Sequence, residues 1–353
     1  MIACLAKNDR ARPLFSLLAS DSRQFQDLGV VHGDAKALKL GFLASLPQAI
    51  AQAKLDARFS APYLDAFERE CARRVEAAQP RAVVYWGATN RPTRNPAIPY
   101  YIITDGPYDP NDASFPPEWR PNRPGAAYLA RQRDVYRGAL HVFTLSEWAR
   151  QKVMQVHGLA PEAVTRIGWG PIGQFGEPRF CNSKNCSFVS IGSEWKRKGM
   201  DIAAEAGARL AAEFPGAETV LAGDPAGFAV AERPGVRLMA QRTPAETCHR
   251  LMRDANALIV ASRFDASPHV IYEAMQYGTP VLVSPRCGMP EAVTPGAGTV
   301  LPELSSEALH QAMREYVDDR EDRRRAAFAA YRDSGGWAAV ADKVRAVVLA
   351  TLD

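Results

Sequence analysis

Short apolar runs alternate along most of this chain with longer stretches of mixed apolar and charged residues. The runs at 81–86, 98–104, 140–145, 164–168, 188–192, 217–223, 257–260 and 281–283 predict strands. A strand covered on both faces has no polar side to show, so its sequence reads as continuously apolar. Helices are predicted between them at 62–78, 126–138, 146–158 and 245–254, then across 304–332, with a last one at 338–352. Ser146 reads as a helix cap with Gly158 as the stop, and Thr243-Pro244-Ala245-Glu246 reads as a capping box. Strands alternating with helices of ten or more residues predict an α/β chain whose parallel sheets are covered on both faces. Residues 1–60 give no comparable pattern.

The stretch 261–293 carries the most chemistry. It holds Asp265, then Ser267-Pro268, a mostly apolar helix interrupted by Glu273, the exit Gly278-Thr279-Pro280 and the strand 281–283. Ser267 is expected to cap this helix, with Pro268 at its first position. Gly278 suits a left-handed residue after the helix, and Pro280 prevents it from resuming. A helix N-terminus opening from a loop at the edge of a parallel sheet is an anion site. Val270, Ile271, Ala274 and Met275 predict a core face, which sets Glu273 at a rim. A charge there needs a partner, and ligand hydroxyls would serve.

Asp265 and Glu273 are separated by seven residues and followed by Ala274-Met275, Gly278-Thr279-Pro280 and Gly288-Met289-Pro290-Glu291. This order resembles the signature of the retaining glycosyltransferases of family 4, the glycosyl transferases group 1. In that family the first acid is usually Glu; the shorter Asp265 retracts the carboxylate by one methylene, about 1.5 Å. A second likeness lies upstream, where the strand 188–192 ends in Gly192-Ser193 and Lys196-Arg197-Lys198-Gly199 precedes a helix. Relatives place a Gly-Arg pair and a Lys-Gly there, and their Arg and Lys hold the donor diphosphate. Ser193 stands at the arginine position. The likeness extends over 142–353, including Leu221-Ala222-Gly223-Asp224 and the strand-helix-strand unit around Ser146. The family's usual opening, a strand and a glycine-rich loop before the first helix, is not recognisable in 1–60.

The resemblance implies a GT-B fold: two Rossmann-like α/β/α domains facing each other across a cleft. Residues 1–172 would form the acceptor side and 173–334 the nucleotide-sugar side, with 335–353 a helix crossing back to the first domain. The segment 168–185 is expected to be the hinge. Lys198, with Lys196 or Arg197 and the helix beginning at Ser267, would stabilise the diphosphate. Gly192, Ser193, Pro268 and His269 belong to the same donor site, and Gln241 and Arg242 lie where relatives hold the base. Glu273 would accept hydrogen bonds from the donor ribose and Asp265 from the transferred sugar. Asp105, in Thr104-Asp105-Gly106, stands where relatives often carry a His-Asp pair facing that sugar; read without the family, it caps the turn. Tyr100, Tyr101, Tyr108, Trp86 and Trp119 offer either sugar-stacking surface or core. No metal and no cofactor are expected beyond the nucleotide-diphosphate sugar as donor substrate.

Bulk properties narrow the setting modestly. At 353 residues the chain exceeds one typical core and suggests two domains. Residues 1–178 hold 22 Lys+Arg against 17 Asp+Glu, a net of +5, and the remainder 21 against 22. A mildly basic first half favours an anionic acceptor or a membrane surface. Nothing suggests nucleic acid. The opening residues do not read as a signal peptide, and no apolar run approaches the roughly 20 residues of a membrane span. A cytoplasmic location is expected, with the inner membrane face as an option. Cysteines at 4, 71, 181, 186, 248 and 287 show no zinc-type spacing and read as free thiols.

The expected function is transfer of a sugar from a nucleotide-diphosphate donor to an acceptor hydroxyl with retention, in bacterial cell-surface polysaccharide or glycolipid assembly. Its partners would be the donor and a glycan or glycolipid acceptor; the oligomeric state is not legible. The alternative is a catalytically silent GT-B protein that binds sugar nucleotide or glycan as a scaffold, for which Asp265 and Ser193 would be marks of decay. Sugar-nucleotide epimerisation would need a general acid/base set, and the six histidines offer no constellation.

Overall fold

A computed structural model of the chain describes residues 1–20, 24–31, 43, 60–107, 126–173, 176–180, 186–225, 227–239, 243–318 and 321–352. The chain divides into two units: Met1–Gly168 with Trp337–Asp353, and Trp169–Gly336.

In the first unit the apolar runs become β3 (Ala82–Trp86), β4 (Tyr100–Thr104), β5 (His141–Thr144) and β6 (Val164–Arg166). The chain opening corrects the sequence reading. Residues 1–60 do begin with a strand and helix, β1 (Ile2–Ala6) and α1 (Arg12–Ser20), followed by β2 (Phe25–Val30). IACLA is too short and too uniformly apolar to declare its period. Every one of its residues is buried, and it lies inside the sheet, not at an edge. The turn after β1 holds no glycine; Lys7 and Asn8 form it, and Asn8 Oδ1 accepts from the Arg10 amide at 3.1 Å. The strand order is β2-β1-β3-β4-β5-β6, parallel throughout.

Among the described residues, further helices of this unit are α2 (Ala61–Ala78), α3 (Ala126–Arg137) and α4 (Glu147–His157). Ser146 caps α4 as read, its Oγ accepting from the Ala149 amide at 3.1 Å, and Gly158 ends it. Phe67 and Val75 of α2 bury against Leu5, Val83, Tyr85 and Ile102 of the sheet. The helix Gly336–Leu352 belongs here too: Trp337 packs on Trp86 with ring centroids 5.9 Å apart, and Tyr101 Oη meets Thr351 Oγ1 at 2.7 Å.

The second unit repeats the plan with β7 (Ser187–Ile191), β8 (Glu218–Ala222), β9 (Val236–Met239), β10 (Ala257–Val260), β11 (Val281–Val283) and β12 (Gly298–Val300). Their order is β12-β11-β10-β7-β8-β9, again parallel. The edge strand β12 escapes sequence reading because it is three residues long and starts with glycine. The helices are α5 (Trp195–Lys198), α6 (Met200–Glu213), α7 (Ala245–Asp254), α8 (His269–Met275), α9 (Ser306–Glu315) and α10 (Glu321–Asp333). Phe188, Leu221, Ile259 and Leu282 form the sheet's share of the core, covered by Trp195, Met200, Leu309 and Met313. Arg324 of α10 is fully buried and donates to Ala255 O at 2.6 Å and Arg253 O at 3.3 Å. It thereby satisfies carbonyls left open at the end of α7.

Two predicted caps are wrong. Thr243 does not open α7: the cap position is Pro244, without a side-chain cap bond, and Thr243 Oγ1 accepts from the Gly223 amide at 3.2 Å. Ser267 does not cap α8 either; Pro268 holds that position, with no side-chain cap bond. In both cases the proline sits one place earlier than expected, with extended ψ values of 144° and 101°. The hydroxyl before it is thereby carried out of reach of the free helix amides.

Each sheet has one gap where successive crossovers part in opposite directions. In the first unit it lies between β1 and β3, in the second between β7 and β10. Ligands of open parallel sheets bind beyond the carboxyl ends of the strands at such gaps.

Candidate functional site

The second unit's gap collects most of the residues singled out from the sequence. Lys198 follows β7 and Asp265 follows β10, so the two arrive from opposite sides of the gap. Lys198 Nζ reaches Asp265 Oδ2 at 2.5 Å, and both side chains are only 14% exposed. The lysine stem lies across Gly192: a Cβ there would meet Lys198 Cε and Cγ at 3.1 Å. The lysine stem thus occupies room that the glycine ending β7 leaves, and a Cβ there would have to push it aside by a few tenths of an ångström. Gly199 turns the chain at φ +68°, and a Cβ on it would stand 2.0 Å from Ala261 O.

The basic run 196–198 is no solvated turn. It forms α5, held to the 261–265 loop by three bonds. The Arg263 amide donates to Arg197 O at 2.8 Å, Arg263 Nη1 to Lys196 O at 2.7 Å, and Arg197 Nη1 to Phe264 O at 2.9 Å. Arg197 also pairs with Glu194 at 2.9 Å and stands 3.7 Å from Asp265 Oδ2. Its guanidinium is thus engaged, leaving Lys198 as the more central cation. Arg263 went unnoticed in the sequence: it forks onto Asp201 at 2.7 and 2.6 Å, a bidentate pair that fixes the loop to the first turn of α6. Nothing in its local sequence announces that partner, 62 positions away.

Burial pushes the Asp265 carboxyl up, but the charges of Lys198 and Arg197, the Lys198 hydrogen bond and His269 together bring it below its ordinary value. Glu273 goes the other way. Burial raises its carboxyl, and the amides of Ile172 and Gly173 with the Lys198 charge only partly offset this. Glu273 also finds a partner within the chain. Its Oε1 accepts from the Ile172 amide at 3.1 Å. The segment 169–173, at the start of the expected hinge, is stitched along α8 by further bonds. Trp169 Nε1 donates to Pro268 O at 3.4 Å, Gly170 O meets His269 Nδ1 at 2.7 Å, and Gln276 Nε2 donates to Gly173 O at 2.8 Å. Ser267 and His269 are buried, and Trp169 stacks edge-on to Tyr272 at 5.5 Å.

Other named positions fall elsewhere. Ser193 is exposed and Lys196 partly buried, both beyond the end of β7. Gln241 and Arg242 lie outside the described residues, as do Tyr108, Trp119 and Cys181. Asp105 is exposed at the end of β4, in the first unit. In the turn there, Thr104 Oγ1 accepts from the Gly106 amide at 3.1 Å. Trp86, Tyr100 and Tyr101 are core residues; Tyr100 Oη donates to Val135 O at 2.8 Å. The five described cysteines carry free thiols. Among the described residues no group of three or more His, Cys, Asp or Glu side chains is arranged to hold a metal ion, and no helix is long and apolar enough to cross a membrane.

Comparison with known proteins agrees with this geometry. Residues 180–333 match the family model of the glycosyl transferases group 1. No curated protein matches the chain in sequence. Among solved structures, sucrose-phosphate synthase from Thermosynechococcus elongatus is 13% identical, with TM-score 0.64 over 99% of this chain and 98% of that one. Anabaena HepE in complex with UDP is 13% identical, with TM-score 0.63 over 99% of both chains. WaaG, a glycosyltransferase involved in lipopolysaccharide biosynthesis, is 15% identical, with TM-score 0.61 over 94% of both. At such identities the likeness is one of fold. The match to the glycosyl transferases group 1 covers residues 180–333, and the chain is a glycosyltransferase of the GT-B fold.

Proposed function

We propose that the protein transfers a sugar from a nucleoside-diphosphate donor to an acceptor hydroxyl with retention of configuration, and that the donor binds at the β7/β10 gap of the second unit. The observation that carries this reading is the placement of Lys198. A lysine whose stem is seated on Gly192 and whose ammonium is held in the gap is a fixed cation at the end of the sheet. As the glycosidic bond breaks, negative charge grows on the diphosphate, and a preorganised cation stabilises it without reorganisation. The same argument gives a reaction that needs no added metal.

Glu273 supplies the orienting contact. A carboxylate has about four acceptor positions, and the two amides of the 169–173 segment leave room for ribose hydroxyls. Burial makes those remaining positions valuable, because an under-satisfied buried carboxylate gains more from a new donor than an exposed one. UDP and UDP-glucose, bound by HepE, are the first donors to try. The lipopolysaccharide role of WaaG supports a bacterial cell-surface polysaccharide or glycolipid as acceptor. The net positive charge of residues 1–178 favours an anionic one.

The test is a thermal-shift panel with UDP, GDP, ADP and their common sugar conjugates on wild type and Glu273→Gln. A ligand at about a hundred times its Kd adds roughly 2.7 kcal/mol to stability. One nucleotide should raise the melting temperature of wild type and fail to raise that of the variant. A chain stabilised by none of them would be a scaffold and not a transferase.

A further inference from the structure

The sequence motif assigns Asp265 to the transferred sugar; the packing around it assigns another task. Three observations bear on this. First, one carboxylate oxygen is already engaged by two cations: Oδ2 lies 2.5 Å from Lys198 Nζ and 3.7 Å from Arg197 Nη1. Second, the loop that carries it is locked to the loop that carries the lysine. Arg263 bonds both Arg197 O and Lys196 O, Arg197 bonds Phe264 O, and Arg263 forks onto Asp201. The 195–198 and 261–265 segments are thereby joined, which holds the backbone of the acid beside that of the lysine. Third, the lysine is seated closely against the backbone. Its stem lies against Gly192, and its chain leaves through Gly199, which is pressed on Ala261 O.

The side chain itself completes the argument. Aspartate is one methylene shorter than glutamate, about 1.5 Å of reach. At this position that shortening retracts the carboxylate into the gap between β7 and β10, where the ammonium is. A carboxylate held in a short ion pair, with both partners largely buried, gains more from that pair than from a neutral hydroxyl. We propose that Asp265 is a positioning residue that holds Lys198 against the diphosphate, and that it does not read the transferred sugar. The inference rests on the donor site proposed above. It predicts that recognition of the diphosphate passes through Asp265, whereas discrimination among sugars lies with other residues.

The two roles separate cleanly when nucleotide and nucleotide sugar are compared. UDP and UDP-glucose would be titrated calorimetrically into wild type, Asp265→Asn and Asp265→Glu. If Asp265 acts through Lys198, each variant changes the affinity for UDP by about threefold or more. The affinity for UDP-glucose changes by the same factor, so their ratio stays within about twofold of wild type. Transfer should also slow at saturating donor, because the mispositioned lysine matters most when charge develops. If Asp265 touches the sugar, UDP binding is unchanged and only UDP-glucose weakens, by roughly tenfold; that result overturns the inference. Unchanged binding of both ligands, with or without a lower melting temperature, overturns it equally, since a purely structural acid would behave so. Asp265→Glu keeps the charge and guards against a folding failure in Asp265→Asn. Wild type that binds no uridine ligand would instead remove the donor-site reading on which the inference stands.

Discussion

Both units place a lysine just past their first strand, at the gap where the crossovers diverge, and give it a partner from across that gap. In the first unit Lys7 Nζ donates to Thr89 Oγ1 at 3.1 Å, between the ends of β1 and β3. In the second, Lys198 meets the carboxylate of Asp265 at 2.5 Å, between the ends of β7 and β10. The topology is shared, but the chemistry differs. A bond to a neutral hydroxyl is weaker than one to a buried carboxylate, which fixes both position and charge. Equivalent places in two similar sheets can therefore set a lysine on a hydroxyl in one and lock it to a buried carboxylate in the other. Only the locked one sits in the part of the chain that matches the glycosyltransferase family, residues 180–333.

The largest expected effect comes from breaking the locked pair. Lys198→Met leaves Asp265 buried without its main counter-charge, and losing one partner of a buried pair costs about 3–5 kcal/mol. Lys7→Met removes the bond to the neutral Thr89 hydroxyl, which by itself is worth about 1 kcal/mol, and should cost less than Lys198→Met. Chemical denaturation of the two variants side by side measures the difference. Equal losses would mean that the two lysines are held alike.

Next is the backbone beneath the locked lysine. Gly199→Ala must place a Cβ where Ala261 O stands, at a left-handed φ of +68°. A loss of at least about 2 kcal/mol is expected from the strain and displacement together. The proton-linked arm concerns the first unit. His157 is buried against Tyr136, with ring centroids 4.2 Å apart. Burial first, then the charges of Arg133 and Arg137, depress its pKa to about 4 from the ordinary 6.5. The unfolded chain thus binds the proton that the folded chain refuses. Stability should fall as pH drops from about 6.5 toward 4, by roughly 1–3 kcal/mol. His157→Phe should flatten that dependence in denaturation curves, and an unaltered slope would assign it to other groups. Smallest of all is the effect of a chelator: transfer should proceed at an unchanged rate in its presence, and a large loss would show that a metal takes part.

The same contrast explains what could be read in the sequence. In the second unit, strands at 188–192, 217–223, 257–260 and 281–283 are all present to within a residue or two. Asp265 and Lys198 stood out because the chemistry of the family is tied to short, fixed spacings. Residues at the end of one strand and the start of the next helix keep those spacings. What binds them together is not local. Arg263 finds Asp201, and Glu273 finds the amides of Ile172 and Gly173, across sequence distances that leave no periodic trace. The caps at Ser267 and Thr243 failed because one proline taking the cap position shifts the hydroxyl out of register. The chain opening was unreadable for a different reason. A five-residue strand buried on both faces, followed by a turn without glycine, has neither alternation nor punctuation to mark it.

The most direct test titrates UDP into wild type, Lys198→Met and Lys7→Met. The donor-site account predicts binding by wild type, a loss of at least about tenfold for Lys198→Met, and an affinity within about twofold of wild type for Lys7→Met. Equal affinities for wild type and Lys198→Met, or a loss confined to Lys7→Met, would contradict it.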